Sequence, residues 1–124
     1  MRKRAVLIAE MKAMKNTKER GIVRFLYMIR GREILGVCLD FNIVEEGTSI
    51  EEVKTYLQRA ARLHLETVLD KGLSEELLNR RAPQEYWEIY RKVSSPETNR
   101  FPRLNPTSTS ANTYTGKKLA LNTV

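Results

Sequence analysis

Apolar residues fall into distinct periodicities along this chain, and each predicts a different element. Over residues 22–29, β-branched and aromatic side chains alternate. Val23, Phe25, Tyr27 and Ile29 share one face while Leu26 and Met28 take the other, the pattern of a strand. Arg30, Gly31 and Arg32 form a turn, residues 33–41 read as the paired strand of a hairpin, and residues 42–46 as a short third strand. From Ile50 the period changes: Ile50, Val53, Leu57, Ala60, Ala61, His64, Leu65 and Val68 recur at three- and four-residue spacing, an amphipathic helix with one apolar stripe. Ser49 is the expected N-cap with Glu52 three residues on, a capping box, and Gly72 is the expected terminator. Residues 74–78 read as a short helix, and Pro83 opens another through Tyr86, Trp87, Ile89, Tyr90 and Val93.

The expected fold is therefore α+β, a three-stranded antiparallel sheet with one long helix packed on it, followed by two short helices. Both faces of that sheet carry apolar residues, and one helix covers one face. The second face needs either the C-terminal helices or another subunit. A homodimer with Tyr86, Trp87 and Tyr90 near its contact is the favoured expectation, since Trp and Tyr bury large areas while keeping a polar handle.

Composition divides the chain into a basic N-terminal extension (1–20), an α+β domain (21–93) and a basic tail (94–124). The formal charge of +7 sits outside the domain: residues 1–24 carry a net +6, residues 94–124 a net +3 and residues 25–93 a net −2. Basic arms of this kind either stay solvated or attract a polyanion in a salt-sensitive way, so nucleic acid is a candidate partner. The tail, with Pro96, Pro102 and Pro106 and a Ser/Thr-rich run from Thr107 to Gly116, is too polar to offset its ordering entropy. It is expected to be disordered and dispensable. The short apolar run at residues 5–9 is broken by Glu10 and Lys12 and is too short for a signal peptide, so none is expected, and no stretch is long enough to span a membrane. With a single cysteine, nothing argues for an oxidising compartment, and the expected location is cytoplasmic.

Chemistry-bearing residues are few, and no catalytic, cofactor or metal site is expected. His64 lies within the helical stripe and Cys38 within a predicted strand, positions of packed residues; a dyad between them has no third group to orient it. Asp40 with Glu66 or Asp70 would make a metal-binding carboxylate cluster, but Glu66 and Asp70 read as the solvated face of the helix. The cluster Tyr86, Trp87 and Tyr90, with Arg80, Arg81, Arg91 and Lys92 nearby, could stack bases while the cations hold phosphate.

Cys38, Asp40, Gly47, Ser49, Glu51 and Glu52, following two strands and opening a long helix, resemble the HicB antitoxin family over about residues 22–70. Leu39 departs from that family's proline, Val53 from its alanine, and its Pro-Gly turn after Phe41 is missing. The resemblance implies a β-β-β-α unit of degenerate ribonuclease H-like type that dimerises. It also implies a non-enzymatic module that neutralises a small RNA-cleaving toxin protein. An orphan HicB-like protein without a toxin, or a nucleic-acid-binding regulator using its basic arms and aromatic cluster, are the alternatives.

Overall fold

Alternating apolar side chains on both faces make β1, Arg20–Arg30, the central strand of the sheet. The computed structural model describes residues 15–94 and 107–121 of the 124. A two-residue loop, Gly31-Arg32, with Gly31 at φ 62°, folds β1 onto β2, Glu33–Cys38. β2 then pairs antiparallel with β3, Ile43–Gly47.

The helix α1 spans Ile50–Asp70. Ser49 Oγ accepts the Glu52 N–H at 3.1 Å, while the Glu52 carboxylate takes the Thr48 hydroxyl at 3.3 Å. At the other end Gly72, at φ 59°, adopts the left-handed conformation. The Leu73 N–H reaches the Val68 carbonyl (2.9 Å) and the Gly72 N–H the Leu69 carbonyl, a Schellman termination. Val53, Leu57, Ala61, Leu65 and Val68 are buried against Val23, Phe25, Tyr27, Ile34, Cys38 and Phe41 on one face of the sheet. Gly36 permits this close approach: a Cβ there would meet Val53 Cγ1 at 2.6 Å and Leu57 Cδ2 at 3.2 Å.

The sheet has five strands, not the expected three. The order is β3-β2-β1-β4-β5, all neighbours antiparallel. The added strands are β4, Ser108–Thr115, and β5, Lys118–Leu119, both from the segment expected to be disordered. β4 pairs with β1 from Arg20↔Thr115 to Tyr27↔Ser108. The physical reason is that the first edge of β1 is taken by β2 while its second offers a row of unmet N–H and C=O groups. Pairing there does not require an apolar strand, only extended backbone and a few inward side chains. Tyr114 and Asn112 supply them. The Tyr114 ring is buried with its hydroxyl on the Thr17 carbonyl at 2.6 Å, and Asn112 Nδ2 donates to the Val23 carbonyl at 3.2 Å.

Two further expectations are corrected. Residues 75–78 form one 3₁₀ turn (Glu75–Leu78), not a second short α-helix, so α2, Gln84–Val93, is the other helix of the fold. Of the N-terminal extension, residues 16–19 are bonded into the domain. Asn16 is buried, donates from Nδ2 to the Ile22 and Leu78 carbonyls and accepts the Ile22 N–H at 2.8 Å. Its own N–H donates to Asn79 Oδ1, and Asn79 Nδ2 donates to its carbonyl, both at 2.8 Å. The helix expected at the start of the chain falls on residues 1–14, outside the described residues.

α2 covers the second face of the sheet. The chain reaches it through Arg81, at φ 50°, whose N–H bonds the Asp40 carbonyl, while the Ala82 N–H bonds that of Leu39. Leu26, Met28, Leu35, Val37 and Leu39 are buried there with Ala82 and Trp87, flanked by Tyr86, Ile89 and Tyr90.

Candidate binding site

The aromatic cluster, the buried polar groups, the free strand edge and one groove are the places where chemistry could reside. Tyr86, Trp87 and Tyr90 are brought together, as their spacing on one helix face requires, but they point at their own sheet. Trp87 is only 8% exposed, and the guanidinium carbons of Arg81 and Arg24 lie 4.2 and 5.4 Å from its ring centroid. Its Nε1–H has no hydrogen-bond partner. The ring is thus spent on cation–π contacts and on the second core, and offers no platform for a base.

Beneath it lies a partly buried ion pair that no spacing in the sequence announces. The Asp40 carboxylate accepts the Arg24 backbone N–H and its Nη1–H, each at 2.7 Å. Burial pushes the Asp40 carboxyl above its ordinary value, with the Arg24 and Arg81 charges acting in the opposite direction. Asp40 is therefore committed to Arg24 rather than to Glu66 or Asp70, and Asp70 instead pairs with Lys117. Among the described residues no group of His, Cys, Asp and Glu could hold a metal ion.

The other nucleophile and base candidates are packed. Cys38 is wholly buried and its thiol is pushed up to about 12, chiefly by burial, so it remains a thiol. His64 Nε2 donates to the Leu77 carbonyl at 2.6 Å with the ring 4.7 Å from that of Phe41, which fixes the 3₁₀ turn onto α1. Ser49 and Glu52 act at the helix start as described.

Two further features are not legible in the sequence. β3 ends the sheet: its outer edge is paired to no described residue, and Val44 is exposed beside Glu45 and Glu46. Glu51 and Glu52 in the first turn of α1 add acid at the same end, where Glu33 is offset by Arg30 and Arg32 of the hairpin. Second, a groove of about 490 Å³ opens where β4 begins, lined by Tyr27, Lys54, Gln58, Tyr90 and residues 108–111.

No protein-family model, curated protein or solved structure matches the chain. Among the described residues no helix is long and apolar enough to cross a membrane.

Proposed function

We propose that this chain is a non-enzymatic protein-binding module, antitoxin-like in the sense of its HicB resemblance, that takes up a small basic protein such as an RNA-cleaving toxin. The observation that carries the reading is β3, a terminal strand with an open edge, an exposed Val44 and the acidic residues Glu45, Glu46, Glu51 and Glu52 around it. An open edge offers main-chain hydrogen bonds to an extended segment of a partner, and the acid selects a basic one and steers its approach. The order β1-β2-β3-α1 supports the reading, as do the structural duties of Cys38, His64 and Asp40.

A homodimer belongs to the same proposal only through surfaces other than Trp87, which is already covered within one chain. Sedimentation at several concentrations tests it. The nucleic-acid reading keeps its basic segments but loses Trp87 as a stacking ring, and would show as binding that collapses with salt.

The deciding experiment co-expresses the chain with the small basic product of the adjacent reading frame. Rescue of growth by the wild type, lost in Glu45→Lys/Glu46→Lys while the thermal midpoint holds, supports the reading. An adjacent frame whose product is harmless, or rescue indifferent to the charge reversal, refutes it; the former outcome leaves an orphan HicB-like protein.

A further inference from the structure

The groove at the start of β4 follows from a mismatch between two strands on one face. Toward α1, β1 presents Val23, Phe25 and Tyr27, whereas the register places Asn112, Ser110 and Ser108 opposite them on β4. α1 packs over the apolar side, on β2 and β3, and leaves the first residues of β4 uncovered. Lys54 and Gln58, one helical turn apart on α1, overhang the gap.

The lining is rich in donors and carries no carboxylate. The Tyr27 side chain is 3% exposed and its hydroxyl has no hydrogen-bond partner of acceptable geometry, although the Gln58 amide lies beside it. A buried hydroxyl left without a partner is costly, roughly 1–3 kcal/mol, and calls for an explanation. Burial also keeps this phenol protonated, its pKa pushed above the ordinary value, so it remains a donor. The Lys54 ammonium lies 5.7 Å from the Tyr27 ring centroid and forms no ion pair among the described residues. Ser110 Oγ accepts from Asn112 Nδ2 at 3.3 Å and keeps its own hydrogen to give, and the Thr109 and Ser94 hydroxyls share a hydrogen bond at 3.1 Å that ties the end of α2 to the rim. A volume of about 490 Å³ falls in the range of small-molecule sites, about 300–1,000 Å³.

We infer that this groove binds the oxyanion of a small molecule, a carboxylate or a phosphoryl group, with Lys54 supplying charge and Tyr27, Gln58, Ser108 and Ser110 supplying hydrogen bonds. The site lies on the opposite flank of the sheet from β3 and stands independently of the partner proposed there.

Titration of the full chain with inorganic phosphate and, separately, succinate tests it, read by amide shifts at Gln58, Ser108 and Ser110. Saturation by phosphate alone identifies a phosphoryl ligand, by succinate alone a carboxylate, and by both the shared oxyanion. Lys54→Met and Tyr27→Phe should each weaken binding about tenfold or more, as loss of a hydrogen bond or contact to a charged group does. In the free protein Tyr27→Phe should leave the thermal midpoint unchanged or raise it. No saturation by either probe up to tens of millimolar, or saturation indifferent to both variants, overturns the proposal. So does a fall in the free midpoint of Tyr27→Phe, which would show the hydroxyl already satisfied by Gln58.

Discussion

β1 has two neighbours of opposite character. On one side β2 is apolar and almost wholly buried, joined through a tight hairpin and clamped by α1. On the other side β4, with the sequence Ser-Thr-Ser-Ala-Asn-Thr-Tyr-Thr, buries only Asn112 and Tyr114 and arrives from far along the chain. β2 is held by side-chain burial with the ladder following, whereas β4 is held by the ladder with two side chains locking it. A strand can therefore be placed by a vacant edge as well as by its own hydrophobic pattern.

The largest expected effect tests whether β4 is integral. Truncation after Ser94 removes β4 and β5, uncovers one edge of β1 and takes Tyr114 and Leu119 from the core. Loss of the cooperative thermal transition is expected. A midpoint shift of only a degree or two would show that the polar half is an ornament on a self-sufficient β1-β2-β3-α1 unit.

On the apolar side, Leu57→Ala should cost about 2–5 kcal/mol in chemical denaturation, since Leu57 is wholly buried. A cost below about 1 kcal/mol would mean that the α1 stripe is not what holds β2 and β3.

Tyr114→Phe keeps the ring and removes only the bond to the Thr17 carbonyl. About 1 kcal/mol should be lost, with the denaturation slope unchanged. An unchanged denaturation midpoint would mean that β4 is not anchored to the N-terminal segment through this hydroxyl.

The smallest effect concerns Asp40, at the join of the two cores. Because its folded value is raised, the folded chain binds a proton more readily than the unfolded one. The contribution of this group to stability therefore declines as pH rises from its unfolded value of 3.8 through the raised one. The stability of the wild type relative to Asp40→Asn should fall over that window. A rise would show that the Arg24 pair outweighs the burial.

What was legible in the sequence was whatever adjacent residues could encode. Alternation at residues 22–29 gave the two faces of β1, three- and four-residue spacing gave the buried stripe of α1, and Ser49 and Gly72 gave its ends within a residue. The Gly31-Arg32 turn is legible between two apolar runs, whereas its counterpart Gly116-Lys117, also glycine first with φ 56° and also joining paired residues, is hidden by the polar run that flanks it. That turn, with Asn112 and Tyr114 in alternate positions, was the available signal for β4. Asn16 left no such signal, since its partners Ile22, Leu78 and Asn79 are polar backbone and an amide that folding alone brings near.

The sequence by itself determined which segments are strands on the apolar side, where α1 starts and stops, and that a second apolar face needed cover. Tertiary structure decided how that face is covered, by α2 turning at Arg81 and placing Trp87 beside Arg24 and Arg81. It decided as well that the free edge of β1 is filled by residues 108–115, and it opened the groove where serines stand beside Tyr27. Periodicity and caps are properties of neighbouring residues and can be read in order along the chain. An edge pairing between residues 20 and 115 depends on a backbone vacancy that exists only once the rest of the sheet has formed.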